Sequence, residues 1–455
     1  MLPEGFKSRM KKLLGEQYAR FLECFESGES VRGVRLNPKL DYPEKTVKDF
    51  GLLKLPYVDN GYIFPSSESV GALPEHHSGA FYMQDPAAMS ALGALDIDPQ
   101  WWVCDLCAAP GGKATGVGER LDGGFLLANE YVKKRAHILV GNIERLGIKN
   151  ATVTSLDVSE LCKFFDGAFD LCLLDVPCSG EGMFRKSAEA LSEWSEENVR
   201  LCAARSAELI ENAAGLVRGG GYLLYSTCTY SLEENEMIID AFLTRHPEFE
   251  LVPVKDELSR VTADGICFEG AAHSSLSLTR RFYPHVFPGE GQFIALMKKS
   301  EKSVKMTSIL YKDASKAPTR DELEAVNTFF KEALIKAPEG KVRKVGDNLV
   351  LISHSCPVLP YSVFSAGVLL GELKGRTFTP SHHFYKTYGA LFKSRGELSG
   401  DGELIAKYLS GEQIPNKWGL ARGFVALTYR GLVLGGGKCN GDIINNHYPK
   451  GLRNK

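Results

Sequence analysis

From Trp101 to about residue 300 the chain alternates short apolar runs with longer amphipathic stretches. The runs are Trp101–Leu106, Phe125–Asn129, Ala151–Ser155, Phe169–Leu174 and Gly221–Ser226. Between them lie Ala114–Leu121, Lys133–Leu146, Ser195–Leu216 and Glu233–Arg245. Short apolar runs read as buried strands, and apolar residues three and four apart read as helices. Strands alternating with helices predict a parallel sheet with both faces covered. Gln292–Met297 adds a late strand, expected to be antiparallel. Upstream, Phe6, Met10, Leu13, Leu14, Tyr18, Phe21 and Phe25 recur at helical spacing and predict a helix over 1–30. Arg32–Pro38 reads as an extended basic segment ended by its proline, and Pro86 starts a helix after Asp85. Downstream, the charged stretch Lys298–Lys305 reads as a linker. Beyond it the pattern predicts a helix over Arg320–Ile335 and strands at Asn348–Ser353, Val363–Leu370 and Gly423–Leu434. The chain thus divides into a helical region 1–95, an α/β domain 96–300 and a mixed, mostly β block 306–455.

Composition narrows the class. With 455 residues, 44% apolar and 24% charged, the chain reads as globular, with no apolar run of membrane-spanning length and no signal peptide. Its eleven cysteines are scattered and odd in number, and neither Cys104/Cys107 nor Cys172/Cys178 has a second pair at zinc spacing. No metal site is expected, and free thiols fit a reducing cytoplasm. The net charge of −2 hides an asymmetry. Residues 301–455 hold 23 Lys+Arg against 14 Asp+Glu, while the first 300 hold 31 against 42. A basic tail fits an anionic partner or a merely solvated face. Within it, Lys374, Arg376, His382, His383, Phe384, Tyr385, Lys386 and Tyr388 interleave bases with aromatics. That pattern suits a chain that tracks phosphates and stacks on nucleobases, or else a surface strand pair.

The candidate chemistry sits after the strands. Asp105-Leu106-Cys107-Ala108-Ala109-Pro110-Gly111-Gly112-Lys113 is a small-residue turn between the first strand and its helix. Such a turn lets a ligand approach backbone N–H groups, at the sheet edge where nucleotide-like cofactors bind. It is neither a dinucleotide fingerprint nor a phosphate loop. Glu130, Asp157 and Asp175 close the next three strands, and Glu130 stands where a carboxylate accepts hydrogen bonds from ribose hydroxyls. Cys178 follows Pro177 after the fourth strand, and Cys228 follows Thr227 after the fifth. In a parallel sheet both emerge beside the glycine turn. Without a C-x-x-C spacing a redox pair is not expected, which leaves a thiolate nucleophile. Cytosine C5 is a poor nucleophile, and thiolate addition at C6 converts it into an enamine-like carbon that can be methylated.

Asp105–Lys113, Asp175–Cys178 and Thr227-Cys228 together resemble the Nol1/Nop2/Sun family of RNA cytosine-C5 methyltransferases. Arg35-Leu36-Asn37, Gln84-Asp85-Pro86, Arg281–His285 and Glu290–Phe293 fit the family's other motifs, so the resemblance spans residues 1 to about 300. Length and the C-terminal block are similar to the family's bacterial RsmF type, which modifies 16S ribosomal RNA and carries an RNA-binding region related to PUA domains. The resemblance implies a Rossmann-like domain that uses S-adenosyl-L-methionine, an RNA-contacting N-terminal extension and a PUA-like block at 306–455. It implies methylation of cytosine C5 in the decoding region of 16S ribosomal RNA, free or in the small subunit, through a covalent Cys–C6 adduct. Cys228 matches the nucleophile, Cys178 the second cysteine that assists product release, Asp175 the acid on the cytosine ring, and Lys113 its neighbour. Cys107, Ala108, Ala109, Pro110, Gly111, Gly112, Lys113, Glu130, Arg135, Asp157 and Asp175 match the cofactor site, with Glu130 on the ribose and Asp157 near the adenine. The later cysteine is the family's nucleophile, whereas DNA cytosine methyltransferases use the Pro-Cys one, so motif placement argues against DNA. Gln292 departs from the pattern, where a small residue is expected. The alternatives are a transfer-RNA cytosine methyltransferase and a non-catalytic ribosome-assembly factor. Against the latter stand Asp175, Cys178, Cys228 and Lys113, all intact.

Overall fold

The computed structural model describes every residue except 1, 29, 41–42, 66–68, 302–307, 310–312, 353–355, 376 and 455. Residues 302–305 of the expected linker, Ser353 and Arg376 therefore lie outside the described residues.

The centre of the molecule is a ten-stranded sheet. Five strands are parallel neighbours: Trp102–Asp105 (β1), Phe125–Asn129 (β2), Ala151–Thr154 (β3), Phe169–Asp175 (β4) and Val217–Thr227 (β5), in the order β3-β2-β1-β4-β5. Gln292–Lys299 (β6) adds antiparallel to β5, as the sequence predicts. Side chains alternate between two cores. Cys104, Leu127, Cys172, Leu174 and Tyr225 face one, while Val103, Leu126, Leu171, Leu173 and Leu224 face the other. This period of two is what makes each strand apolar throughout. The helices Gly112–Gly118 (α1) and Lys133–Arg145 (α2) cover one face with Ala114, Val117, Leu139 and Ile143. Glu196–Leu216 (α3), capped by Ser195, and Glu236–Arg245 (α4) cover the other with Ile210, Ala213, Ile239 and Phe242. The chain leaves β1 toward β2 on one side and reaches β4 on the other, which opens a crevice at the carboxyl ends.

Three expectations change. The N-terminal helix breaks at Gly15, whose φ of +53° suits glycine, into Glu4–Leu14 and Tyr18–Glu26. Phe6, Met10 and Phe21 on these helices pack on Phe184, Tyr230 and Tyr283. The region 1–95 is also not simply helical. Arg32–Leu36, Leu53–Lys54, Gly61–Phe64 and Phe81–Met83 form a four-stranded sheet, because Val34, Leu36, Phe64 and Phe81 have a common apolar face to bury. Finally, the strands expected at 363–370 and 423–434 each divide at a left-handed turn. Gly367, with φ +59°, separates Val363–Ala366 (β7) from Val368–Lys374. Arg430 and Gly431, with φ +49° and +79°, form a two-residue hairpin turn between Gly423–Tyr429 and Leu432–Cys439.

The first division matters most, since β7 pairs antiparallel with β3 and joins the central sheet. Ile352, Cys356, Val358, Leu359 and Ala366 enter the same core as β1 and β4. Residues beyond the expected linker thus complete the sheet instead of hanging from it. The helical part of the basic–aromatic stretch is likewise largely internal. His382–Tyr388 is a helix whose His383, Phe384 and Tyr385 are buried, and Lys386 donates to the backbone carbonyls of Ser78 and Val433. Its aromatics Phe384 and Tyr385 fill a core and its lysine ties three regions together, so this helix serves packing, while Lys374 before it stays exposed. Leu359→Ala should cost about 2–5 kcal/mol and lower the urea midpoint monitored at the central sheet. An unchanged midpoint would mean that the C-terminal block folds apart from that sheet.

Candidate active site

The glycine turn is fixed from three sides. Asp105 ends β1, and Ala108 N–H donates to the Asn129 carbonyl at 2.8 Å. Arg135 Nη2 and Asn142 Nδ2, on α2, donate to the carbonyls of Ala109 and Pro110 at 2.7 and 2.9 Å. Gly111, with φ +118°, precedes α1 in a conformation that favours glycine. From the N-terminal sheet comes Arg35, which is fully buried. Its guanidinium donates to Gly112 O at 2.7 Å, Gln84 Oε1 at 2.9 Å and Thr115 Oγ1 at 2.8 Å, and pairs with Glu119 at 2.9 Å. The motifs around Arg35 and Gln84 therefore brace the turn.

The acids at the strand ends differ in environment. Glu130 is buried; its Oε1 accepts from Val132 N–H at 2.9 Å, and its Oε2 lies 3.1 Å from Arg135 Nη1. Asp157 is exposed and caps the short helix Val158–Leu161 by accepting from Ser159 N–H at 2.9 Å. Asp175 Oδ2 lies 2.7 Å from Lys113 Nζ, while its Oδ1 accepts from Ser226 Oγ at 2.7 Å. Asp105, which begins the glycine motif but has no role in the sequence reading, is fully buried, and neither of its carboxylate oxygens has a hydrogen-bond partner among the described residues. Burial, and then the charge of Asp175, push its carboxyl up to about 7.

The two cysteines meet as the parallel sheet predicts. β4 and β5 are neighbours with Ser226 opposite Asp175, so the loops that follow leave the sheet side by side. Cys178 Sγ lies 3.2 Å from Cys228 Sγ and accepts from Cys228 N–H at 3.3 Å. Both thiols are free and partly buried. Contact with Cys228, followed by burial, pushes the Cys178 thiol well above its ordinary value. Gly182 N–H donates to Cys228 O at 2.9 Å, and a Cβ on Gly182 would lie 2.6 Å from Gly291 Cα. The loops could not approach so closely around a larger residue.

Several buried polar residues absent from the sequence reading knit these loops together. Glu181 accepts from Trp194 Nε1, Thr229 Oγ1 and Tyr230 N–H at 3.0–3.1 Å. Glu234, pushed up to about 7 by burial, accepts from Ser179 N–H at 2.8 Å and Ser179 Oγ at 2.6 Å. Asn235 bonds Thr227 and Thr229 on either side of Cys228. The Arg281 motif contributes from behind, with its guanidinium paired to Glu236 and donating to Tyr230 O at 2.9 Å. A signal was available: Glu233–Glu236 is acidic where the helix pattern begins, yet the helix itself starts only at Glu236.

The comparisons with known proteins agree along the chain. The model of the 16S rRNA methyltransferase RsmB/F matches residues 92–298, that of the N-terminal domain of 16S rRNA methyltransferase RsmF matches 2–86, and that of the methyltransferase RsmF PUA domain matches 396–454. The ribosomal RNA small subunit methyltransferase F of Vibrio parahaemolyticus is 30% identical over 479 residues, covering 99% of this chain and 97% of that protein. The chain belongs to this methyltransferase family. Its counterpart in Vibrio cholerae is 29% identical over 478 residues, with the same shares of 99% and 97%. A methyltransferase homolog protein from Pyrococcus horikoshii shares the fold, with a TM-score of 0.57 and 26% identity over 65% of this chain and 95% of that one. The PUA match falls on the five-stranded C-terminal sheet formed by strands between Arg395 and Asn446.

Asp105 makes the folded chain pH-sensitive in a direction that can be worked out. Its folded carboxyl holds a proton up to about pH 7, whereas the unfolded one releases it near pH 4, by the ordinary value of about 3.9. Stability therefore falls as pH rises across that window, because the unfolded chain has released a proton that the folded chain retains. Asp105→Asn should raise the unfolding midpoint at pH 8 and leave it unchanged at about pH 3. An equal shift at both pH values would show that the charge is not the cause.

Proposed function

We propose that this member of the ribosomal RNA small subunit methyltransferase F family methylates C5 of a cytosine in 16S ribosomal RNA, with Cys228 as the nucleophile and S-adenosyl-L-methionine as the methyl donor. The observation that carries this reading is the pair of thiols 3.2 Å apart, next to the parallel strand ends that hold the Lys113–Asp175 pair at 2.7 Å. The residues fit the donor. The turn Cys107–Gly112 is built of small residues that let a ligand approach its backbone, Asp105 has two carboxylate oxygens without a partner among the described residues that can accept from an ammonium or hydroxyl, and Glu130 closes the neighbouring strand. With Arg135 holding Glu130 and the turn, and Lys113, Asp157 and Asp175 at the same edge, these residues would bind it. When bound, the cofactor supplies an electrophilic methyl group.

The chain's own groups account for the rest. Cys228 adds through sulfur to cytosine C6, forming the S–C6 bond and making C5 nucleophilic. Asp175, held by Lys113 and Ser226, hydrogen-bonds the ring nitrogen and stabilises the shift of charge. After C5 gains the methyl group a base takes its proton, the electron pair left behind forms the C5–C6 double bond, and the S–C6 bond breaks to return the Cys228 thiolate. Cys178, whose sulfur lies 3.2 Å from that of Cys228, assists this elimination. A cytosine in a loop or flipped from a helix can reach such a site.

Cys178→Ala should accumulate a covalent RNA adduct on a denaturing gel, because addition survives while elimination slows; Cys228→Ala should form none. An adduct that persists in Cys228→Ala would remove the nucleophile from this position. The substrate is tested by methyl transfer to naked 16S RNA, assembled small subunits and transfer RNA side by side. Incorporation into either small-subunit form is expected, and incorporation into transfer RNA alone would overturn the ribosomal assignment.

A further inference from the structure

The two thiols are held by consecutive residues, each serving a different one. Glu234 Oε1 and Oε2 accept from the N–H and Oγ of Ser179, the residue after Cys178, at 2.8 and 2.6 Å. Asn235 Oδ1 accepts from Thr227 Oγ1 at 2.7 Å, and its Nδ2 donates to Thr229 O at 3.0 Å, so it grips both neighbours of Cys228. Glu234, Asn235 and Thr227 are completely buried, and Ser179 and Thr229 nearly so. The dipeptide itself is fixed, since Tyr225 on β5 donates to the Glu234 carbonyl and the first turn of α4 donates to that of Asn235. Two contacts join the assemblies, both through the Thr229 hydroxyl: its Oγ1 lies 2.9 Å from Ser179 Oγ and, more loosely, 3.3 Å from Glu234 Oε2. Among the described residues, neither Glu234 nor Asn235 bonds the main chain of the loop that the other holds.

We propose that Glu234 and Asn235 are separate positioning residues: Glu234 sets Cys178 for product release, and Asn235 sets Cys228 for attack. The proposal rests on the reading above, in which Cys228 adds to the base and Cys178 assists elimination. The geometry gives each residue the means. A carboxylate accepts both Ser179 donors, whereas an amide in its place would set N–H against one of them. Asparagine both donates and accepts, as the Thr227 hydroxyl and Thr229 carbonyl require; an aspartate would face that carbonyl with like charge. In a buried network an unmet donor or acceptor displaces its loop instead of finding water.

The test is the covalent adduct with 16S RNA, read on a denaturing gel beside the rate of methyl transfer. Glu234→Gln should still form the adduct while turnover falls by as much as about 100-fold, the effect of roughly 1 Å of misplacement, so that the adduct accumulates as expected for Cys178→Ala. Asn235→Asp should lose adduct formation, as expected for Cys228→Ala. A merely structural role would loosen both thiols together and move both variants in one direction, and that result would overturn the proposal. Should either variant fail to fold, Ser179→Ala and Thr227→Val remove the partner hydroxyls instead, with the same opposite outcomes required. If the two cysteine variants themselves fail to give accumulation and loss, the reading of the thiols has failed, and the proposal with it.

Discussion

The parallel pairing of β4 with β5 is the constraint on which the site depends. It places Ser226 opposite Asp175, which lets the serine hydroxyl hold the carboxylate and starts the two cysteine loops from adjacent points. A slip of one residue would send each strand's side chains to the opposite face and exchange the two cores. Because Leu174 and Tyr225 face one core while Leu173 and Leu224 face the other, the hydrophobic pattern itself enforces the register. The geometry of the site is thus secured by apolar burial on both sheet faces, and the polar contacts refine it.

Around that frame, charges are buried in pairs. Arg35 with Glu119 braces the glycine turn, Arg281 with Glu236 braces the segment after Cys228, and Arg185 with Glu290 lies behind the loop that carries Cys178. Such pairs contribute little net stability, since desolvation offsets their attraction, but losing one partner strands a buried charge at a cost of about 3–5 kcal/mol. Their value is directional: each guanidinium also donates to a backbone carbonyl, at Gly112, Tyr230 or Gly289, and so fixes the start of α1 and two loops that have no secondary structure of their own. Asp105 is the exception, buried at the carboxyl end of β1 with no hydrogen-bond partner for its carboxylate oxygens among the described residues.

The C-terminal block has two duties. Its five-stranded sheet coincides with the PUA-domain match, while β7 and the apolar residues before it extend the central sheet beyond β3. The neighbouring helix His382–Tyr388 anchors the block to the N-terminal region through Lys386 and to α2 through contacts with that helix. A basic composition alone does not locate an RNA surface. Lys386 and the aromatics beside it serve packing, whereas Lys374 remains exposed.

Local chemistry determined a great deal of this protein in advance. Apolar periodicity marks the five parallel strands and their helices because burial on two faces leaves no other pattern. Parallel topology alone then brings Lys113, Asp175, Cys178 and Cys228 to one edge. What escaped the sequence depends on long-range geometry. A glycine reads the same in a strand as in a left-handed turn, so the breaks at Gly367 and Arg430-Gly431 were invisible, and with them the strand that crosses to β3. A glutamate reads as solvent-facing until its partners close over it, so Glu181 gave no sign that it lies between the cysteine loops, and Glu234 showed only as part of an acidic run ahead of a helix. Sequence by itself determined which residues meet, through strand order and hydrophobic register. Only the tertiary structure decided how those residues are held, because hydrogen bonds between distant segments have no period along the chain.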